Sequence, residues 1–460
     1  MTLREYIASL ANKRVAVIGI GVSNQPLLEL LATSGAEVTA CDKKERAAFG
    51  ALADELEAKG ITLRLGENYL DDLDADIVFR SPGIRPDIPA FEAVRRRGGV
   101  ITSEMEIFFR VCPCRIIGIT GSDGKTTTSS IIAEMLRAAG KRVHLGGNIG
   151  HPLLCEADNM CPDDIAVVEL SSFQLLDMTR SPQVAVLTNL APNHLDVHKD
   201  MAEYIAAKEN IYLHQSAADR AIFNMDNAIT AELSRKANAQ VTGFSAKGES
   251  DIFAADGFIC RKRGEAAEKV LALDEIRLPG AHNVENYMAA IAAVDGLVSD
   301  EVIRAVARDF AGVEHRIEFV RELDGVKYYN DSIASSPTRT IAGLRAFTQK
   351  VILIAGGYDK HIPFTELGPE VVAHVKTLIL CGATAQSISD AVTACEEYQS
   401  AAEKPEIVFC ASLDEAVQRA RAAAKSGDIV ALSPACAAFD QFPNFMVRGK
   451  KYKELVNSLE

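Results

Sequence analysis

No apolar stretch in this 460-residue chain reaches the length that crosses a membrane, although 48% of its residues are apolar. That combination describes a soluble globular protein with no membrane partner. The start, MTLREYIASL, lacks the basic beginning and long apolar stretch of a secretory signal, so a cytoplasmic location is expected. Positive charge is in short supply. The net charge of −14 argues against a broad nucleic-acid surface, though a local basic pocket for a small anion is compatible with it. The ten cysteines make no metal-site pattern. Their closest pair, Cys112 and Cys114, has no second pair beside it, so reduced thiols are expected. No repeat of solenoid period is present either.

What is there reads as several α/β segments, because the chain is too long for one ordinary core. The first opens with the strand VAVIG (Val15 to Gly19), the turn GIGVSNQ, an apolar-periodic helix and a second strand, EVTACD, ending at Asp42. This βαβ unit resembles a dinucleotide-binding turn, but Asn24 stands where the third glycine of GxGxxG belongs, so nicotinamide binding is not expected. DIVFRSPGI is a further buried strand whose Pro-Gly loop faces the ligand crevice of an open sheet. A second segment runs through the strands RIIGIT, IAVVEL and VAVLTN, with helices from Met201 to Leu213 and from Asn283 to Val294 and short β pieces between. Near Gly312 the pattern restarts with a hairpin turning at Asp324-Gly325, then VILIAGG, TLILCG, EIVFC and DIVALSP alternate with helices. Three α/β domains are predicted, 1–103, 104–312 and 313–460.

The stretch TGSDGKTTT follows a strand and opens a helix. Gly121 and Gly124 let backbone N–H groups turn toward phosphate oxygens, Lys125 adds a point charge, and the Thr126 hydroxyl can bind Mg²⁺. The spacing departs by one residue from GxxxxGK[ST]. Asp123 would repel a triphosphate if it pointed inward, so it is predicted to point outward or to cap the helix. Glu169 ends the next strand in the same crevice and suits magnesium better than the alternative, a solvated strand end. His194 follows a further strand. His198, four residues on, is predicted to be a surface histidine, because Pro192 and the lack of an intervening glutamate argue against a zinc helix.

TGSDGKTT, GGNIGHP, VVELSSFQL, NLAPNHLDVH, AAKENIY, LPGAHNVENYMAA, EHRIEF and NDSIASSP stand together in the order and spacing of the Mur ligases, a family that this chain resembles over nearly its whole length. RSPGI, GGYDK and SPACAAFDQFPNF narrow the likeness to the branch that adds D-glutamate to UDP-N-acetylmuramoyl-L-alanine. The resemblance implies three domains: a Rossmann-like domain for the UDP-sugar, a P-loop-type ATPase domain, and a Rossmann-like C-terminal domain for the amino acid. It implies ATP and Mg²⁺ as cofactors, an acyl-phosphate intermediate, a role in building cell-wall precursors, and a monomer. It also assigns roles. Gly121, Ser122, Asp123, Gly124, Lys125, Thr126 and Thr127 would hold the ATP phosphates, with Asn283 and Asn286 near the adenine and Arg316 and Asp331 reaching the nucleotide. Thr126, Glu169, His194 and Lys208 would serve the metal ions, Lys208 as a carbamate, and Lys125, His194 and Lys208 would be catalytic. Val22, Ser23, Asp42 and Gly83 would surround the uridine diphosphate, and Asn148 would meet the sugar nucleotide. Ser335, Lys360 and Phe445 would lie at the amino-acid site. Taken singly, Asn283 and Asn286 read as helix caps, Arg316 as a surface strand residue and Lys208 as an exposed helical lysine.

Besides Lys43 or Lys44, where the family often has an arginine by the uracil-side acid, three positions depart from the family pattern. Ile333 replaces a lysine, Ser335 a threonine, and Ala438 a serine. They leave the ATP chemistry intact and bear on which amino acid enters. The alternatives are therefore a relative with a different amino acid, a folylpolyglutamate-type ligase, an oxidoreductase using the GIG turn, and a nucleotide-binding regulator without turnover.

Overall fold

The computed structural model describes the chain except for Val22, Ser23, His151, 193–196, Pro279, Lys360 and His361. It is an α/β structure with three separate sheets. The first has five parallel strands in the order Thr62–Leu65, Glu37–Asp42, Arg14–Ile18, Ile77–Arg80, Val100–Thr102. The order reverses between Arg14–Ile18 and Ile77–Arg80, so the turns after these two strands flank the crevice that such sheets offer a ligand. Ser81 N donates to Ile18 O (2.9 Å) and draws the two turns together. Asn24, where a third glycine was looked for, is buried and donates its amide to Gly19 O (2.9 Å) and Ile18 O (3.3 Å). Its side chain braces the turn from within.

The second sheet has nine strands. Seven are parallel: Val143–Gly147, Ile165–Glu169, Arg115–Thr120, Val184–Leu187, Arg220–Asn224, Gln240–Ser245 and Ile252–Ala255. Phe258–Arg263 and Ala266–Ala272 extend it antiparallel. The continuous apolar runs of the central strands follow from burial on both faces, by the helices Lys125–Ala138 and Ala281–Val294 on one side. The third sheet orders Glu318–Leu323, Val326–Asn330, Ile429–Leu432, Val351–Ala355, Val375–Leu380 and Glu406–Phe409, parallel apart from its first strand. The hairpin turn has φ 51° at Asp324 and 76° at Gly325, the left-handed pair that a two-residue hairpin needs.

The chain divides into two compact units, Met1–Arg277 with Ala281–Phe310, and Leu278–Gly280 with Ala311–Glu460. The first unit contains both leading sheets. One apolar cluster runs through it from Leu3 and Val15 by way of Phe108 and Ile116 to Tyr204 and Phe223. The second unit has its own two clusters, one under Tyr328 and Tyr452 and one under Leu353 and Val371. Among the described residues no helix is long and apolar enough to cross a membrane, and the ten cysteines are free.

Candidate active site

The strand Arg115–Thr120 sits inside the second sheet and delivers residues 120–124 to its carboxyl edge, where the helix Lys125–Ala138 begins. Gly121 has φ 150°, and a Cβ there would overlap the Thr188 hydroxyl, so only glycine lets the loop pass this close to residues 188–189. Gly124 is the helix N-cap at φ 80°, a left-handed position. The loop is tied to the exit of the neighbouring strand Val184–Leu187. Ser122 N donates to Asn189 O (2.8 Å), Asp123 N to Asn189 Oδ1 (2.9 Å), and Ser122 Oγ to Ala191 O (2.9 Å). Asp123 is exposed, as the outward alternative expects, and makes no cap, since the capping position is Gly124. Lys125 Nζ donates to Gly121 O (3.0 Å) and Ser122 O (2.9 Å). A lysine and the positive end of a helix therefore converge on one loop, the electrostatics of a phosphate site.

Around this loop gather five more of the residues singled out in the sequence, Asn148, Glu169, Lys208, Asn283 and Asn286. Thr126 Oγ1 donates to Glu169 Oε2 (2.7 Å), and Asn148 Nδ2 donates to Glu169 Oε1 (2.8 Å). Glu169 is 1% exposed, which rules out a solvated strand end. Asn283 and Asn286 are buried inside the helix Ala281–Val294 and are not its caps. Asn286 Oδ1 accepts from Thr128 Oγ1 (3.2 Å), and its amide donates to Asn283 Oδ1 (3.0 Å). Thr127 is partly exposed on the loop's first helical turn.

The plain readings of Lys208 and His198, taken as single residues, fail as well. Lys208 is 2% exposed, not a surface lysine. Its Nζ donates to Gly121 O (2.8 Å) and Thr120 Oγ1 (3.0 Å), and burial, with Lys125 nearby, holds its pKa well below the ordinary lysine value. His198 is not at the surface either: 3% exposed, it stacks on Phe173 with ring centroids 5.3 Å apart. Its Nε2 lies 2.9 Å from Ser172 Oγ and its Nδ1 3.3 Å from Glu203 Oε2, the latter without hydrogen-bond alignment. Burial lowers its pKa, with Glu203 pulling the other way. The helix expected to Leu213 ends at Glu209, where Asn210 is its C-cap.

At the first sheet, Asp42 accepts from Ile20 N (2.7 Å) and Lys44 N (2.9 Å), so its carboxylate shapes the GIG turn. Gly83 is exposed on the loop after Ile77–Arg80. Val22, Ser23, His194 and Lys360 lie outside the described residues.

In the second unit, Asp331 is buried and accepts from Ser433 Oγ (2.7 Å) and Ile317 N (3.2 Å). Burial raises its pKa to about 7. Arg316 is half-buried, ahead of the strand Glu318–Leu323 and not on it. Ser335 Oγ donates to Ile333 O (3.3 Å), and Phe445 opens the helix Phe445–Asn457, its carbonyl accepting from Ser332 Oγ (2.8 Å). Ile333 is half-buried and Ala438 is buried. Sequence reasoning missed Arg448. It is 4% exposed and donates to Ser332 O (2.9 Å), Cys436 O (3.0 Å) and Ala437 O (3.1 Å), so it fastens the loop holding Ala438 to the one holding Ile333. A lone arginine in VRGKK carries no local signal of burial.

The Mur ligase middle domain model matches residues 119–294, and the Mur ligase glutamate ligase domain model matches residues 315–436. The chain is 50% identical to the UDP-N-acetylmuramoylalanine--D-glutamate ligase of Acetivibrio thermocellus over 461 residues, covering 100% of this chain and 99% of that protein. Against the ligase of the same name from Clostridium novyi the identity is also 50%, over 462 residues, with 100% and 99% covered. Among solved structures it is similar to MurF from Acinetobacter baumannii (TM-score 0.58, 16% identity, 98% of each chain). It is also similar to UDP-N-acetylmuramate-alanine ligase from Thermotoga maritima (TM-score 0.56, 18% identity, 97% of this chain and 100% of that one). At these identities the structures speak for the fold alone.

Proposed function

This chain belongs to the Mur ligase family, and from that premise we propose that it joins D-glutamate to UDP-N-acetylmuramoyl-L-alanine at the expense of ATP. The full-length 50% identity to ligases of that name supports the substrates. The observation that carries the chemistry is the single crevice in which Lys125, Thr126, Glu169 and Asn148 meet around the phosphate loop.

The carboxylate that ends the muramoyl substrate is a poor electrophile. Transfer of the γ-phosphate makes it an acyl phosphate; the amine of D-glutamate attacks, phosphate leaves and an amide remains. The protein must neutralise charge and align three anions. Lys125 and the helix N-terminus supply fixed positive potential. The turns after Arg14–Ile18 and Ile77–Arg80, with Asp42 and Gly83, would hold the uridine diphosphate. Asn148, bonded to Glu169, would place the sugar nucleotide beside the phosphate loop. Asn283 and Asn286 would border the adenine. Arg316, Asp331, Ser335 and Phe445 would belong to the nucleotide and amino-acid contacts of the C-terminal segment, which is read as 313–460, after 1–103 and 104–312.

Thr126 and Glu169 are a buried pair of hard oxygen ligands of the kind Mg²⁺ accepts while keeping several waters. When bound, Mg²⁺ would neutralise phosphate charge. A reaction on such substrates would run in the cytoplasm.

Phosphate release measured over a matrix of UDP-muramoyl acceptors and amino acids tests the reading. Turnover only with UDP-N-acetylmuramoyl-L-alanine and D-glutamate is expected. Turnover with a different amino acid or a folate acceptor would overturn the assignment, and Ile333, Ser335 and Ala438 would then be the first positions to explain it.

A further inference from the structure

The reaction as derived leaves one network unused. Arg85 lies two residues past Gly83. Its guanidinium meets Glu203 in a two-pronged contact, Nη2 to Oε1 at 2.7 Å and Nη1 to Oε2 at 3.0 Å, and also donates to Val197 O (3.0 Å). It is held on its other side by Asp87 (2.8 and 2.9 Å). Lys199 joins through Nζ to Asp87 Oδ2 (2.8 Å) and through its backbone N to Glu203 Oε2 (2.9 Å).

Glu203 stands in the first turn of the helix Met201–Glu209, which carries Lys208 in its last turn. Contacts continue inward. Glu203 faces His198, and His198 packs on Phe173 and edge-on against Tyr204, 5.4 Å between centroids. The Tyr204 hydroxyl lies 2.9 Å from Ser122 Oγ in the phosphate loop, and its ring lies 5.0 Å from Lys208 Nζ. A continuous set of side chains thus runs from the loop after Gly83 to the phosphate loop and Lys208.

The plain alternative is an ordinary surface ion pair, which does little. Two features oppose it. The Arg85 and Glu203 side chains are only 24% and 19% exposed, and a fork-to-fork contact fixes orientation as well as distance. The set also ends on two groups of the phosphate site, not in solvent.

We propose that Arg85, Glu203 and His198 are positioning residues that make the placement of Ser122 and Lys208 depend on the conformation of the acceptor loop 81–87, so that sugar nucleotide and ATP bind cooperatively. This rests on the functional reading above. Linkage is reciprocal, so it is measurable from either ligand.

The test is equilibrium binding of a non-hydrolysable ATP analogue to the full chain with magnesium, with and without saturating UDP-N-acetylmuramoyl-L-alanine. In the wild type the acceptor tightens analogue binding about fivefold or more. Arg85→Ala and Glu203→Gln each bring the factor close to one, and the double variant loses no more than either single one, because both break the same contact. Arg85→Lys keeps the charge but not the fork and retains only part of the coupling. Lys199→Ala removes the ammonium from Asp87 (2.8 Å) and from a looser contact with Glu203 (3.7 Å) but leaves the fork and the backbone N–H bond, so it keeps most of the wild-type factor. No coupling in the wild type, an unchanged factor in Arg85→Ala, or equal loss in Lys199→Ala would each overturn the proposal. A wild type that releases no phosphate with all three substrates refutes the functional reading instead; an active wild type with coupling unaltered in the variants refutes only this linkage.

Discussion

Lys208 is a lysine with almost no access to water, and the cost of charging it there is what lowers its pKa. A neutral amine is the form that reacts with CO₂, and a carbamate would offer two oxygens to a cation that an ammonium would repel. Lys208→Ala is therefore expected to lose most activity, and Lys208→Arg to do no better, since arginine keeps the wrong charge. A ¹³C carbamate signal after bicarbonate labelling checks the modification, and full activity after strict CO₂ removal would count against it. For Lys125 the proposed role is different, the neutralising of phosphate charge. Lys125→Ala should raise the barrier by at least ~3 kcal/mol, as losing a preorganised electrostatic group does elsewhere. Near-normal turnover at saturating ATP would refute its role.

At the scale of elements, the phosphate loop depends on how closely it passes the exit of the strand Val184–Leu187. Gly121→Ala would push a methyl into the Thr188 hydroxyl. We expect ATP binding to weaken at least tenfold, about 1.4 kcal/mol, while circular dichroism keeps the wild-type shape. Retained ATP affinity would show that the close approach is dispensable. The helix Glu104–Val111 offers a test of a different kind. Glu104, in its first turn, is buried and accepts from Leu154 N (2.8 Å). Burial raises its pKa from 4.5 to about 7. The folded state thus holds this proton more tightly than the unfolded chain. Its contribution to stability is fully present below pH 4.5 and is lost as pH rises through about 7. The interval corresponds to on the order of 3 kcal/mol. Glu104→Gln should remove this loss, gaining on the wild type between pH 5 and 8 by about that amount at most in denaturant titrations. Parallel pH profiles for the two proteins would contradict the assignment.

For the whole molecule, the division into two compact units matters most. The second unit has a six-stranded sheet with an apolar cluster on each face. Residues 311–460 expressed alone should therefore melt in one cooperative transition, as single domains of about 150 residues or fewer usually do. A broad, uncooperative melt would mean that this core needs the rest of the chain. Within the first unit, the shared cluster from Leu3 to Phe223 joins the two leading sheets, although the sequence alone places a boundary near 103.

Strands such as RIIGIT, VAVLTN and VILIA, the hairpin at Asp324-Gly325 and the glycine loop before Lys125 were all legible in the sequence. Each depends on neighbours a few residues away: apolar runs, turn residues, a strand leading into a helix. The order of motifs likewise identified the family, because many short patterns in one sequence constrain one another. Burial of polar side chains was not legible. Lys208 reads as a surface lysine beside Glu209 and Asn210, yet its partners are Thr120 and Gly121, from a strand exit far back in the chain. His198 takes its neighbours from Phe173, Ser172 and Glu203, and Arg448 from residues 332, 436 and 437. Whether such a group is solvated depends on which distant segments pack over it, and no local pattern encodes that. The sequence by itself determined the main strands, the glycine loop and the family; only the tertiary structure decided which charges lie out of water, because desolvation is a property of the assembled contacts.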